Sequence, residues 1–268
     1  MVSYKSICLI GWGAISSRVA ELLAQCCVPV KIEAVAVRNP NQLRQDLPVG
    51  TRVITDALSL SDMKLDLVVE AAGRDSVLYW GSAALDRGID FAVSSTSAFV
   101  HQAILSDLLD KAKGSGARLL IPSGALAGID ALSAASRLSL DAVVHKIIKP
   151  PRAWLGTAAE SMCDLQNLKC PQTFFTGTAR EGANIFPQNA NATMITSLAG
   201  IGPDKTTVVM VADPSGLLNT HEITANGAFG RLKILVENEP LASNPKSSEM
   251  TALNLVRMIE NRVSSLVL

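Results

Sequence analysis

The chain has 268 residues, of which 48% are hydrophobic and 18% charged. That balance excludes a disordered chain, and the length suits one large domain or two small ones. Lysine plus arginine number 24, as do aspartate plus glutamate, so the formal net charge is zero. A chain without a basic surplus lacks the electrostatic footprint of nucleic-acid binding and the polybasic segment of membrane-surface binding.

An apolar run at 6–10 ends at Gly11. Ile15, Val19, Leu22, Leu23 and Cys26 then recur at helical spacing. Residues 30–37 read as a strand and 66–72 as another. Residues 75–87 read as a helix stopped by Gly88. Strands at 89–95 and 117–122 flank a helix from 101 to 113 that ends at Gly114. Strands alternating with helices of this length predict an α/β fold, a Rossmann-type doubly wound parallel sheet.

The second half reads differently. A helix at 127–138 precedes strands at 143–151, 206–212, 219–225 and 230–237, with Asp-Pro-Ser-Gly and Asn-Gly as turns. Clustered strands joined in this way predict an α+β domain with antiparallel pairs. An amphipathic helix at 248–262 follows. The expected division is 1–124 for dinucleotide binding, 125–247 for substrate binding and dimerisation, and 248–268 as a C-terminal helix packing back on the first domain.

No apolar run approaches the roughly 18 residues of a membrane span, and the first apolar stretch holds Gly11 and Gly13 without a cleavage-site pattern. Neither a membrane span nor a signal peptide is expected. The five cysteines, Cys8, Cys26, Cys27, Cys163 and Cys170, form no C-x-x-C pair. Reduced thiols in a cytoplasmic protein fit them better than a disulfide framework. Histidine and cysteine never stand at ligand spacing, so no metal is expected. No G-x-S-x-G elbow occurs either.

Gly11, Gly13, Ala14 and Ile15 stand where the first strand turns into the first helix. In a dinucleotide-binding turn the first glycine permits the bend and the second lets the backbone approach the pyrophosphate. The helix N-terminus then offers its N–H groups to the phosphates. Ser16 replaces the third glycine of the fingerprint. The second strand ends at Arg38 and Asn39, without the acidic residue that would bind a ribose 2′-hydroxyl. Arg38 can pair with the 2′-phosphate of NADP, stack on adenine, or stand solvated in the turn before Pro40.

From Ser123 onward the sequence is more specific. The segments SGALAGIDAL (123–132), IIKPPRAWLGT (147–157), FFTGTAREGANIFPQNANAT (174–193), ADPSGLLNTHEI (212–223), GAFG (227–230) and NPKSSEMTAL (244–253) resemble the L-aspartate dehydrogenase family. The resemblance implies a homodimeric NAD- or NADP-dependent enzyme that deaminates L-aspartate oxidatively. Iminoaspartate forms first, then oxaloacetate and ammonia, or the reaction runs in reverse. The iminoaspartate of that family can feed de novo NAD synthesis through quinolinate. The nearest alternatives are another two-domain reductase, of the dihydrodipicolinate reductase or homoserine dehydrogenase type, and a non-catalytic NAD(P)-binding protein.

That chemistry needs a proton acceptor working near neutral pH, and histidine suits it. The chain has three histidines. His221, in NTHEI, matches the catalytic histidine of the family. His145 reads as a packed or edge residue of a strand, and His101 as part of a surface helix. The resemblance also implies that Ala125 and Asn191 contact the cofactor, with Asn191 otherwise a helix N-cap. Asn189 is a weaker candidate from the same motif. A dicarboxylate substrate calls for cationic clamps, and Lys149, Arg180 and Lys246 are the candidates. The residues alone do not rank them against ordinary surface ion pairs. Glu70 ends a strand near the expected crevice and can be structural.

Overall fold

A computed structural model of the chain describes residues 5–42, 44 and 46–267, without the side chains of residues 188, 245 and 246. Two compact units emerge: residues 1–122 with 251–268, and residues 123–250.

The first unit holds β1 (Lys5–Ile10), α1 (Ala14–Gln25), β2 (Val30–Ala36), β3 (Arg52–Ile54) and β4 (Leu67–Glu70). After these come α2 (Val77–Leu85), β5 (Asp90–Val93), α3 (Gln102–Ser115) and β6 (Leu119–Leu120). All pairings in this sheet are parallel, and the strand order is β3-β2-β1-β4-β5-β6. This is the doubly wound order, whose ligand crevice opens beyond the carboxyl ends of the strands where the winding reverses, between β1 and β4. The central strands β4 and β5 are buried along their whole length because both faces of the sheet are covered there. Ile7, Leu9, Leu67 and Val69 share a core with Val19, Leu22 and Leu23 of α1. Where α2 nears Phe91, a Cβ on Gly81 would lie 2.7 Å from that ring, so the glycine is set by packing.

The second unit holds α4 (Ile129–Ala135), β7 (Leu140–Lys149), β8 (Gln172–Thr178), α5 (Ala179–Ile185) and α6 (Ala190–Ala199). It continues with β9 (Thr207–Ala212), β10 (Asn219–Gly227), β11 (Gly230–Asn238), β12 (Pro240–Leu241) and β13 (Asn244–Ser248). Its main sheet has the order β11-β10-β7-β9-β8 and is mixed: β7 and β9 run parallel, the other pairs antiparallel. The last helix, α7 (Glu249–Glu260), buries Ala252, Leu255, Val256 and Ile259 in the core of the first unit. There Arg262, next to that helix, and Arg118 both donate to the Asp90 carboxylate.

Several local expectations are corrected. Gly114 lies inside α3, and the helix is stopped by Gly116, whose φ of +77° supplies the left-handed cap. Gly128 has a φ of +64°, so α4 begins only at Ile129. The Asn226-Gly227 pair is not the hairpin turn. Gly227 pairs with Gly230 across a loop of Ala228 and Phe229. A Cβ on Gly227 would sit 2.7 Å from Leu140 Cα, so close strand approach explains that glycine. Strands β9 and β10, joined by Asp213–Gly216, are not neighbours, because β7 lies between them. Among the described residues no helix is long and apolar enough to cross a membrane.

Candidate active site

In the first unit, Gly11 has a φ of +91°, and its N–H donates to the Ala36 carbonyl at 2.8 Å. A Cβ there would meet Ala72 Cβ at 2.9 Å and the Ala71 carbonyl at 3.1 Å. The turn itself therefore demands glycine at this position. Gly13 differs. It is the N-cap of α1, in extended conformation, and a Cβ added there meets nothing within 4 Å. Neither local strain nor packing calls for a glycine. The helix start carries no side-chain cap and no acidic residue in its first turn. Open space over a bare, positively polarised helix end is what a pyrophosphate requires, so these residues fit a dinucleotide. Ala14 and Ile15 form the first turn, and Ser16 is buried beneath it.

Arg38 is exposed directly after β2. Glu70 is fully buried and structural. One carboxylate oxygen accepts from the N–H groups of Ala72 and Gly73, each at 2.8 Å, and from the hydroxyls of Ser76 and Ser95 at 3.0 and 2.9 Å. The other accepts from the Ser95 N–H at 3.0 Å. The carboxylate thus ties the loops that follow β4 and β5 at the crevice end of the sheet. His101 is exposed at the start of α3 and makes no capping bond.

In the second unit, antiparallel pairing of β7 with β10 sets Ile147 opposite His221 and His145 opposite Ile223. Side chains two residues apart share a face, so both histidines point to the same side of the sheet. His145 Nε2 and His221 Nδ1 lie 3.0 Å apart. On its far side His145 Nδ1 lies 3.0 Å from Thr196 Oγ1 of α6, and that hydroxyl is also 3.2 Å from the Ala192 carbonyl. His145 is fully buried, in keeping with a packed strand residue, and it joins the candidate base His221 to Thr196, which no sequence motif marks. Burial pushes the His145 imidazole down to about 3. His221 is held well below its ordinary value by burial first, then by the proximity of His145 and of the Lys149 charge. At neutral pH both rings are neutral, so His221 rests as a base.

Lys149, at the end of β7, donates to Asn189 Oδ1 at 2.5 Å and lies 5.2 Å from the centre of the Trp154 ring. Burial lowers its ammonium to about 8. Asn189 is buried and precedes α6. Asn191 is the second residue of that helix and exposed, so the N-cap position falls to Asn189 instead. The Ala125 carbonyl accepts from Asn238 Nδ2 at 3.0 Å. Arg180 grips Asp204 with its guanidinium fork at 2.6 and 2.9 Å, the ion-pair arrangement that stood beside the clamp reading, with a partner 24 residues away. Lys246 lies in β13, and its side chain is outside the described residues.

The comparisons with known proteins agree along the chain. Residues 130–262 match the family described as aspartate dehydrogenase, C-terminal, and residues 11–122 match the homoserine dehydrogenase NAD binding domain. The L-aspartate dehydrogenase of Brucella anthropi is 59% identical over 264 residues, covering 98% of each chain. That of Pseudomonas aeruginosa is 36% identical over 275 residues, covering 97% of this chain and 98% of its own. Among solved structures, the aspartate dehydrogenase of Thermotoga maritima has a TM-score of 0.78 at 25% identity, covering 99% of this chain and all of that one.

Proposed function

This chain belongs to the L-aspartate dehydrogenase family, and on that premise we propose that it deaminates L-aspartate oxidatively with NAD or NADP, giving oxaloacetate and ammonia. The observation that carries the reading is the buried His221, its Nδ1 3.0 Å from the buried His145, in the unit that also holds Lys149 fixed on Asn189. It joins a proton acceptor to an anion clamp, the two functions a dicarboxylate amino acid requires. We assign residues 1–124 to cofactor binding and 125–247 to the substrate, with the Gly11–Ile15 turn on the pyrophosphate. Ala125 and Asn191 are assigned to the nicotinamide side. The nicotinamide, when bound, takes up the hydrogen and electron pair that leave Cα.

The protein's own residues do the rest. Lys149, fixed by Asn189, holds one substrate carboxylate as a point charge. His221 Nε2 takes a proton from the substrate ammonium, so that nitrogen can form the imine as the Cα–H bond breaks. After releasing that proton, the same nitrogen takes one from the water that attacks the imine carbon. Ammonia then leaves as His221 Nε2 returns that proton to the amine and the new hydroxyl gives up its own proton to water, closing the carbonyl. The match of residues 11–122 to a homoserine dehydrogenase domain concerns the cofactor half alone, whereas that of 130–262 covers the half that holds His221.

The protein also acts as a homodimer in the cytoplasm, in our reading. Supporting the dimer, one face of the second unit's sheet carries Val144, Ile148 and Val209 only partly covered and Leu235 exposed. The test of function is a rise in absorbance at 340 nm with NAD+ or NADP+ and L-aspartate. L-Homoserine and L-glutamate should give no comparable rise. Turnover of homoserine in preference to aspartate would overturn the reading.

Arg38 should govern the choice of cofactor. Arg38→Ala is expected to weaken NADP binding by about 10- to 100-fold, the worth of charge-assisted bonds to a phosphate, with NAD nearly unaffected. Fluorescence titration of both cofactors checks this, and equal losses would mean adenine stacking. Lys149 should impose a pH dependence on anion binding. Its lowered value of about 8 means that the cation persists below that pH and is lost above it. Inhibition by succinate, which has no amine of its own to titrate, should weaken about tenfold between pH 7 and 9. Lys149→Met should bind succinate poorly throughout and abolish the trend.

A further inference from the structure

The proton on Thr196 has one close acceptor besides histidine, the Ala192 carbonyl one helical turn back, at 3.2 Å. A threonine on a helix makes that bond routinely. With its proton so placed, Thr196 Oγ1 meets His145 Nδ1, 3.0 Å away, as an acceptor. His145 must then carry its proton on Nδ1 and leave Nε2 bare. Across the next 3.0 Å, that bare nitrogen requires a proton on His221 Nδ1. A neutral imidazole has one N–H, so His221 Nε2 is left with its lone pair. It has no hydrogen-bond partner among the described residues.

We propose that Thr196 and His145 are positioning residues that lock His221 in the tautomer whose Nε2 is the catalytic base. The inference rests on the assignment of His221 as the base and adds what orients it. A reversed chain would put the proton on Nε2 and leave no base. His145, with its value pushed down to about 3, does not accept the proton in turn. Every proton His221 gains therefore stays at Nε2 or leaves from it. The charged group acting on His221 is Lys149 of β7; β10 contributes His221 itself, α6 contributes Thr196, and β9 sets Val208 in register with His145.

The experiment reads the tautomers in the cofactor-free protein by long-range 1H–15N correlation of 15N-histidine-labelled samples, so it does not depend on turnover. His221 should show a protonated Nδ1 and an unprotonated Nε2 at pH 7.5. Thr196→Val, which keeps size and removes the hydroxyl, should scramble this pattern. It should also lower kcat at least tenfold and shift the acid limb of the kcat/KM profile, with the KM for NAD+ unchanged. Thr196→Ser should restore pattern, rate and profile. A protonated Nε2 in the wild-type protein, or a Thr196→Val variant with unaltered tautomers and rate, overturns the proposal. An intact tautomer pattern in a protein inactive on aspartate would instead refute the proposed reaction.

Discussion

Replacing His221 with asparagine should lower kcat by about 10²–10⁴-fold, the usual worth of positioned proton transfer, while cofactor affinity stays nearly unchanged. Asparagine is polar and of similar size, so the hydrogen bond across to His145 can persist and the sheet should remain intact. What it cannot do is titrate. The wild-type profile of kcat/KM should rise with pH through a limb below 6.5, because burial, His145 and Lys149 all disfavour the imidazolium. Only the neutral ring accepts a proton, so activity is lost as pH falls through that limb. His221→Asn should flatten it. Near-normal turnover with an unchanged profile would remove His221 from the mechanism.

The second large effect concerns two glycines that look alike in sequence. Gly13→Val should abolish measurable NAD(P) binding yet leave thermal stability close to wild type, because a Cβ there meets no protein atom within 4 Å. The side chain would occupy the space a pyrophosphate needs over the start of α1. Gly11→Ala should do the reverse in kind and unfold the protein at a lower temperature. A left-handed φ of +91° and a 2.9 Å approach to Ala72 Cβ both oppose a side chain at that position. The left-handed conformation alone costs about 1–2 kcal/mol for an L-residue. Calorimetry together with cofactor titration separates the two. Full cofactor binding by Gly13→Val would show that the turn is not the site.

What was legible in the sequence was what short-range pattern encodes. The alternation of apolar runs and helical spacing in the first half led directly to the parallel sheet, and the glycine turn fell in its expected strand–turn–helix setting. The second half was less readable because its contacts join distant segments. VVHKI showed a strand, but nothing local showed that β10 would pair with it in the register that brings His145 to His221 across 76 residues. Thr196 looked like any helical threonine, and its meaning depends on α6 lying against β7. Arg180 could be a clamp or an ion-pair partner by sequence, and its bond to Asp204 joins residues 24 apart, beyond what local pattern encodes. The segment 172–199 carried family motifs without a clear period, so β8 and α5 went unrecognised and α6 was placed two residues late. Helix ends failed where two glycines competed, as at Gly114 and Gly116, since only the backbone angle distinguishes a tolerated glycine from a cap.

Carrying deuterium at Cα of L-aspartate tests the central claim most directly. Incubated with the wild-type protein and NAD+ or NADP+, the labelled substrate should yield reduced cofactor one mass unit heavier, together with equal amounts of ammonia and oxaloacetate. His221→Asn should form the same labelled product at a rate about 10²–10⁴-fold lower. Unlabelled reduced cofactor, or ammonia released without any reduction, would contradict the account.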